Sequence, residues 1–238
     1  MGVLAAGEPG KPPEILPRRR CILCMHCAAG CPRSAIRFEE LPQEAVYPAM
    51  PEDELERLLK TVRNFSDRLM PRELIQSALN TANFAPSGKN QRAYRFTVVW
   101  GPGQVRRLRD RCLELCREHG EAPELPKLFE KGTDLLTCGA PCMIMVWSPE
   151  DCLNPVLDPA VSMAHLELLL VRAGLGTCWG GYLRQVSDRF PEIRELLGLE
   201  PGCRVRCALM VGYAKGESYL RPVWRPEAEA VWLEDQTL

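Results

Sequence analysis

The chain has 238 residues, of which 46% are hydrophobic and 26% are charged, the balance of an ordinary soluble globular protein. A formal net charge of −1 excludes a global electrostatic field that would recruit nucleic acid or acidic membranes. No apolar run is long enough to span a membrane, and the first residues lack the pattern of a signal peptide, so we expect a cytoplasmic protein.

Four of the twelve cysteines fall within the stretch CILCMHCAAGC at 21–31. In a reducing compartment such a cluster indicates metal or redox chemistry rather than a disulfide framework. The spacing C-x2-C-x2-C-x3-C-P is the ligand pattern of bacterial ferredoxins, which predicts a 4Fe-4S cluster bound by Cys21, Cys24, Cys27 and Cys31. A structural zinc site is the alternative, although zinc usually takes two C-x2-C pairs separated by a longer loop.

The ligand set of this predicted cluster is incomplete. In a two-cluster ferredoxin the fourth cysteine of each run binds the other cluster, and residues 1–20 contain no cysteine to complete a first run. The fourth ligand therefore stays open between Cys31 and a distant cysteine, with a three-iron cluster as a further possibility. We expect residues 1–50 to form a truncated ferredoxin-like segment with a linker, followed by a second domain over 51–238.

The second domain shows helical periodicity broken by a few strand-like runs. The β-rich run YRFTVVW is followed by Gly-Pro-Gly, which indicates a strand end. Apolar residues at helical spacing predict helices over 52–62, 71–84, 104–120, 125–136, 159–176 and 188–199. Strands are predicted over 94–100, 141–148 and 203–214. This order indicates an α+β or α/β fold with one layered core. Scattered cysteines such as Cys152 and Cys178 are expected to be small buried apolar residues.

Five motifs occur in order along this domain: KTVRNFSDRLMPRELI (60–75), NFAPSGKNQRAYRFTVVW (83–100), LGTCWGGY (175–182), VGYAKG (211–216) and LRPVWRP (220–226). Together they resemble the flavin-dependent nitroreductase family, in particular members that carry an N-terminal ferredoxin-like module. The resemblance implies an α+β fold, a three-layer α/β/α sandwich with a mostly antiparallel central sheet. It also implies a homodimer with FMN at the interface and a C-terminal extension that reaches the partner.

The resemblance assigns an FMN phosphate site to cationic and hydroxyl side chains. Lys60, Thr61 and Arg63 stand where the family supplies phosphate contacts, and Arg221 matches a C-terminal arginine that meets the phosphate. The leading arginine of the family pattern is replaced by Leu59, and the next one by Lys60.

The resemblance also assigns residues to the flavin ring. Small and polar residues are expected to line the isoalloxazine: Pro86, Ser87, Gly88 and Asn90. Gly180 and Gly181 are expected to place backbone N–H groups near the reactive N5, since glycine permits close approach. An ordinary turn is the alternative at both places. The usual Q-P-W of the family reads Arg92-Ala93-Tyr94 here.

The function implied is that of an FMN-dependent oxidoreductase with ping-pong kinetics. A reduced donor, ferredoxin or NAD(P)H, would deliver electrons, with the cluster as a possible route, and a small organic acceptor would take them. The cofactor does the redox chemistry, so no catalytic acid or base is expected. Two alternatives stay open: a redox sensor or electron-transfer protein without turnover, and a flavin-processing or dehalogenating member of the same fold.

Overall fold

The structure is a computed structural model that describes residues 4–5, 11–16, 21, 25–39, 41–47, 60–215 and 227–232. The chain divides into two units, Met1–Arg57 with Glu217–Leu238, and Leu58–Gly216. The domain boundary between residues 50 and 51 stays a prediction. No helix in the described ranges combines the length and the apolarity that crossing a membrane requires.

The first unit contains only short elements. Strands β1 (Leu4–Ala5) and β2 (Glu14–Ile15) pair antiparallel, and two single-turn helices follow, α1 (His26–Ala29) and α2 (Gln43–Val46). The hydroxyl of Tyr47 accepts the Ile36 N–H at 2.8 Å, which ties the end of α2 to the preceding loop. These elements do not identify a ferredoxin fold, so the ferredoxin-like segment stays a prediction.

The second unit contains six helices and four strands within its described residues. In chain order they are α3 (Arg72–Ala82), β3 (Arg95–Trp100), α4 (Pro102–His119), α5 (Glu124–Glu130), β4 (Cys142–Pro149), α6 (Leu157–Arg172), β5 (Gly176–Trp179), α7 (Gly181–Arg189), α8 (Pro191–Leu196) and β6 (Cys203–Gly212). The three predicted strands are confirmed, and a helix is found at each place predicted beyond residue 70. Two of these helices end before their predicted ends, α5 at Glu130 and α6 at Arg172. Neither β5 nor α7 was predicted.

The four strands form one sheet in the order β3-β4-β6-β5, and all of its pairs are antiparallel. Strand β4 is buried on both faces, as expected for a central strand covered on each side by helices. Ile144 and Val146 face the core formed with α3 and α6, whereas Met143 and Met145 are buried on the other face, where α4 contacts β4. The predicted α+β fold with a mostly antiparallel central sheet is therefore confirmed.

Residues 60–66, here called the edge segment, lie along the β5 edge of the sheet. Val62 donates its N–H to the carbonyl of Thr177 at 2.8 Å, and Thr61 bridges Thr177 in parallel. On its other side the segment pairs with the chain after β6, where Lys215 donates its N–H to the carbonyl of Asn64 at 2.9 Å. Residues 60–62 are thus extended, and the predicted helix over 52–62 is wrong at this end. Residues 51–59 lie outside the described residues.

Candidate functional site

The edge segment brings three of the expected phosphate-binding residues to the β5 edge. Lys60 and Thr61 are half-buried and Arg63 is exposed. The pKa of the Cys178 thiol on β5 is lowered by Cys138 and, more weakly, by the positive charge of Arg63, against the opposite effect of burial. Two cations and a hydroxyl on a rigid edge suit a phosphate group, which needs charge-assisted donors.

Glu167 of α6 organises the end of β5 that leads to α7. Its carboxylate accepts the hydroxyl of Thr177 at 2.8 Å and the indole N–H of Trp179 at 2.7 Å. Trp179 nevertheless remains 43% exposed. A large aromatic surface is therefore held in one orientation beside the start of α7.

The two expected glycines play different parts at the start of α7. Gly180 donates its N–H to the carbonyl of Ala208 at 2.7 Å, so this group is already used by the sheet. A Cβ on Gly181 would meet no described atom within 4 Å, and the first N–H groups of a helix have no partner within it. The Gly180 N–H is thus already used within the chain, and the roles expected for Gly180 and Gly181 beside a flavin stay predictions.

The 86–90 loop, which contains the expected ring-lining residues, is held by a buried carboxylate. Gly88 donates its N–H to Asp158 Oδ2 at 3.0 Å, and the Asn154 amide donates to Asp158 Oδ1 at 3.2 Å. Ser87 Oγ accepts the Arg92 N–H at 3.2 Å. Asp158 is 7% exposed, so the first turn of α6 anchors the loop.

The backbone of this loop adopts an uncommon conformation. Lys89 and Asn90 in the loop, and Arg92 just after it, have φ angles of 49°, 57° and 45°. These lie in the left-handed region that non-glycine residues seldom occupy. Such strain persists only where the surroundings impose it, and it concentrates at functional sites.

Gly88 packs closely against the side chains of Leu153 and Asn154. A Cβ at this position would overlap the Asn154 amide and lie 2.9 Å from Leu153 Cδ2. The expectation that Gly88 lines a flavin ring stays a prediction. Pro86 and Asn90 are exposed.

The described residues of the expected site are anchored at two separate places on α6. Asp158, which anchors the 86–90 loop, and Glu167, which anchors β5, lie on the same helix about 14 Å apart along its axis, at ~1.5 Å per residue. The site therefore has two parts within a protomer, which we call the edge half (60–63 and 179–181) and the loop half (86–90).

The loop half is bordered by exposed apolar side chains. Phe84 is 84% exposed, and Leu153, Val156 and Leu157 are 49%, 60% and 62% exposed. A cluster of large apolar residues on a surface indicates a protein–protein or ligand-binding face.

Arg221, the remaining expected phosphate contact, lies outside the described residues, as does Cys24. Cys21 and Cys27 are exposed and Cys31 is half-buried. Cys31 Sγ accepts the Ala35 N–H at 3.3 Å, and this hydrogen bond lowers the pKa of the Cys31 thiol. In the part of the chain that the structure describes, no three His, Cys, Asp or Glu side chains converge as metal ligands. The predicted 4Fe-4S ligand set is therefore not found there.

Sequence reasoning missed the two acidic anchors, Asp158 and Glu167. Glu167 lies within the strongly apolar run PAVSMAHLELLLVRAGLG, and Asp158 directly precedes that run. An acidic residue in such a run must find a partner when it is buried, which is the signal that could have identified them.

Comparison with known proteins finds a matching family, similar sequences and a similar fold. Residues 51–213 match the Nitroreductase family. A putative NADH dehydrogenase/NAD(P)H nitroreductase of Archaeoglobus fulgidus is 28% identical over 160 residues, which cover 66% of this chain and 82% of that protein. An iodotyrosine deiodinase of Thermotoga neapolitana is 29% identical over 167 residues, covering 67% and 87%. The crystal structure of an FMN-bound nitroreductase from Desulfitobacterium hafniense superposes with a TM-score of 0.63 at 23% identity, covering 76% of this chain and 97% of that one.

Proposed function

Because the chain belongs to the nitroreductase family, we infer that it is an FMN-dependent oxidoreductase that passes electrons from a reduced donor to a small organic acceptor. The observation that carries this inference is the edge half, where a cationic segment lies against β5 next to the N-terminus of α7. When bound, FMN would supply the redox chemistry.

We propose that the residues of this chain bind and orient that cofactor. Lys60, Thr61 and Arg63 hold the phosphate, with Arg221 as a further contact. The N–H of Gly181 and the positive end of the α7 dipole face the polar edge of the ring. The indole of Trp179, oriented by Glu167, provides an apolar surface that excludes water.

The loop half completes the site from a second copy of the chain. The two halves are separated along α6, and the loop half is bordered by exposed apolar residues, so we propose a homodimer in which the 86–90 loop of one protomer faces the edge half of its partner. This arrangement places Pro86, Ser87, Gly88 and Asn90 beside the ring, as the family resemblance implies.

The purified chain tests this function directly. We expect one FMN per chain after reconstitution, and turnover of a quinone or nitroaromatic acceptor with NAD(P)H. The NAD(P)H nitroreductase relative supports this donor. A chain that takes up no FMN, or that binds FMN without turnover of any acceptor, would contradict the proposal, and the second result would favour an electron-transfer or sensor role.

A dehalogenating activity is the second candidate, favoured by the similarity to an iodotyrosine deiodinase. Release of halide from a halogenated phenol by the reduced protein would support it. Turnover of nitroaromatics without halide release would argue against it.

We propose the iron–sulfur cluster as a separate feature of residues 21–31, supported by the cysteine spacing. The N–H donated to Cys31 Sγ is a hydrogen bond of the kind that tunes cluster thiolates. Iron and sulfide content of anaerobically purified protein tests the proposal, with Cys24→Ser as the variant expected to lose iron. Protein that holds flavin but no iron would leave NAD(P)H, rather than ferredoxin, as the donor.

A further inference from the structure

A groove of about 490 Å³ lies between α3 and β3, and we call it the α3–β3 groove. Among the described strands β3 pairs only with β4, so the groove lies at an outer edge of the sheet. The amide side chains of Gln76, Asn80 and Asn83 contribute to its lining. A groove of this volume with polar side chains along it suits a small molecule.

The charge that lines the groove is positive. Arg92 and Arg95 line it, whereas none of the described residues around it is acidic. Within the described part of the chain, neither arginine lies within ion-pair distance of a carboxylate. Arginine binds carboxylate and phosphate groups through paired N–H donors. The groove therefore offers two cations to an anionic ligand.

Both guanidinium groups are held by backbone carbonyls. Arg92 Nε donates to the carbonyl of Asn83 at 2.9 Å, and Arg95 Nη1 donates to the carbonyl of Tyr94 at 2.9 Å. The remaining N–H groups of each guanidinium are left to donate to a ligand. A side chain that is already held loses less conformational freedom when a ligand binds, which favours affinity.

An apolar wall accompanies these charges. Leu79, Phe96 and Val98 line the groove and pack against the core of the second unit. The ring of Phe96 meets the ring of Tyr94 edge-to-face, with 5.8 Å between the centroids and an interplanar angle of 81°. A flat aromatic body packs well on such a wall.

Tyr94 supplies a second and independent indication of a ligand. It lines the groove and is only 4% exposed, yet its hydroxyl has no hydrogen-bond partner among the described residues. Buried hydroxyl groups in native proteins are almost always paired, and an unpaired one is costly. The unpaired hydroxyl therefore favours a ligand that brings a polar atom to this groove.

We propose that the α3–β3 groove binds a small aromatic anion, with its carboxylate or phosphate group at the two arginines and its ring against the apolar wall. The groove adjoins the loop half, since Ser87 Oγ accepts the Arg92 N–H. It shares no residue with the edge half, so binding of this anion does not depend on the proposed FMN site.

Photocrosslinking of the full-length chain with 4-benzoylbenzoate tests the site, because this probe joins an aromatic body to a carboxylate and links to nearby C–H groups on irradiation. We expect saturable labelling of the tryptic peptides that contain Leu79 or Phe96. Benzoate and phenyl phosphate should protect these peptides, and the one that protects at lower concentration identifies the anionic group. Uncharged benzamide should protect roughly tenfold less well. Labelling confined to other peptides, or equal protection by benzamide, would overturn the proposal.

Three variants separate this site from the flavin site. Arg95→Gln should weaken binding of the probe roughly tenfold, because it removes a charged donor. Arg107→Gln, at an exposed arginine of α4 outside the groove, is the matched control and should behave like the wild type. Arg63→Gln should lose FMN affinity but keep the labelling, so the two proposals fail separately. Equal labelling of Arg95→Gln and the wild type would contradict the site, and if that variant does not fold, protection of the wild type decides.

Discussion

Glu167 is the residue that connects the core of the second unit to the edge half of the site. One carboxylate oxygen accepts the Thr177 hydroxyl and the other accepts the Trp179 indole N–H. A charged acceptor strengthens both hydrogen bonds. The orientation of an exposed aromatic surface therefore depends on one side chain of α6.

Replacing Glu167 with alanine should weaken FMN binding by roughly fivefold, because loss of a hydrogen bond to a partly exposed group costs about 1 kcal/mol. Fluorescence titration of the reconstituted protein with FMN measures the effect. Glu167→Gln, which keeps an acceptor oxygen, should retain more of the affinity. Equal affinities for the alanine variant and the wild type would show that Trp179 does not contribute to the site.

At the scale of elements, the edge segment is positioned by its close approach to β5. A Cβ at Gly176 would lie 2.7 Å from Val62 Cγ2, so only glycine permits the parallel contact between Thr61 and Thr177. The segment carries Lys60, Thr61 and Arg63, so the backbone spacing at one glycine determines where three expected phosphate contacts lie.

Gly176→Ala should therefore displace the edge segment, lower stability by about 1–3 kcal/mol and weaken FMN binding. Gly103→Ala is the matched control, since a Cβ there would meet no described atom within 4 Å. Urea unfolding and FMN titration of both variants make the comparison. Equal stability and equal FMN affinity of Gly176→Ala and the control would contradict this role of Gly176.

At the scale of the whole molecule, the proposed site is completed by two copies of the chain, because the edge and loop halves are anchored at separate places on α6. Closed dimers with isologous interfaces are the commonest oligomers, and each would form two such sites. The exposed apolar residues around Phe84 supply a surface for that contact.

Two inactive variants should then restore activity when they are coexpressed. We expect Arg63→Glu to disable the edge half and Gly88→Val to disable the loop half, because a side chain at position 88 would displace the Asn154 amide and its hydrogen bond to Asp158. Mixed dimers keep one intact site of two, so about a quarter of the wild-type activity should return. Coexpression of Arg63→Glu with Gly181→Val, both in the edge half, should restore none. If each chain instead held a complete site of its own, neither coexpression would restore activity.

The buried thiols also make the stability of the second unit dependent on pH. Burial raises the pKa of Cys142 from 9.0 to about 12, so the unfolded chain ionises this thiol first. Its contribution to stability is present in full below pH 9 and is lost as pH rises towards about 12, at about 1.4 kcal/mol per pH unit. Urea unfolding of the wild type and of Cys142→Ala across this range measures it. We expect a shallower decline for the variant, and identical slopes would contradict the assignment.

The amino-acid sequence by itself determined the periodic elements, α3, α4, α6, β3, β4 and β6, because each buries an apolar face that its spacing reveals. It also indicated the resemblance to the nitroreductase family, which the family comparison confirmed, whereas the ferredoxin-like module stays a prediction. The roles that this resemblance gives to the glycines and cations likewise stay predictions.

Only the tertiary structure decided the edges of the sheet and the contacts between distant residues. Strand β5 has four residues and begins with Gly176, so its extended form comes from pairing with β6 rather than from local preference. The edge segment is likewise extended because Thr177 and Tyr213 accept its N–H groups. Cys178 is buried as expected, but no one-dimensional pattern placed it in a strand.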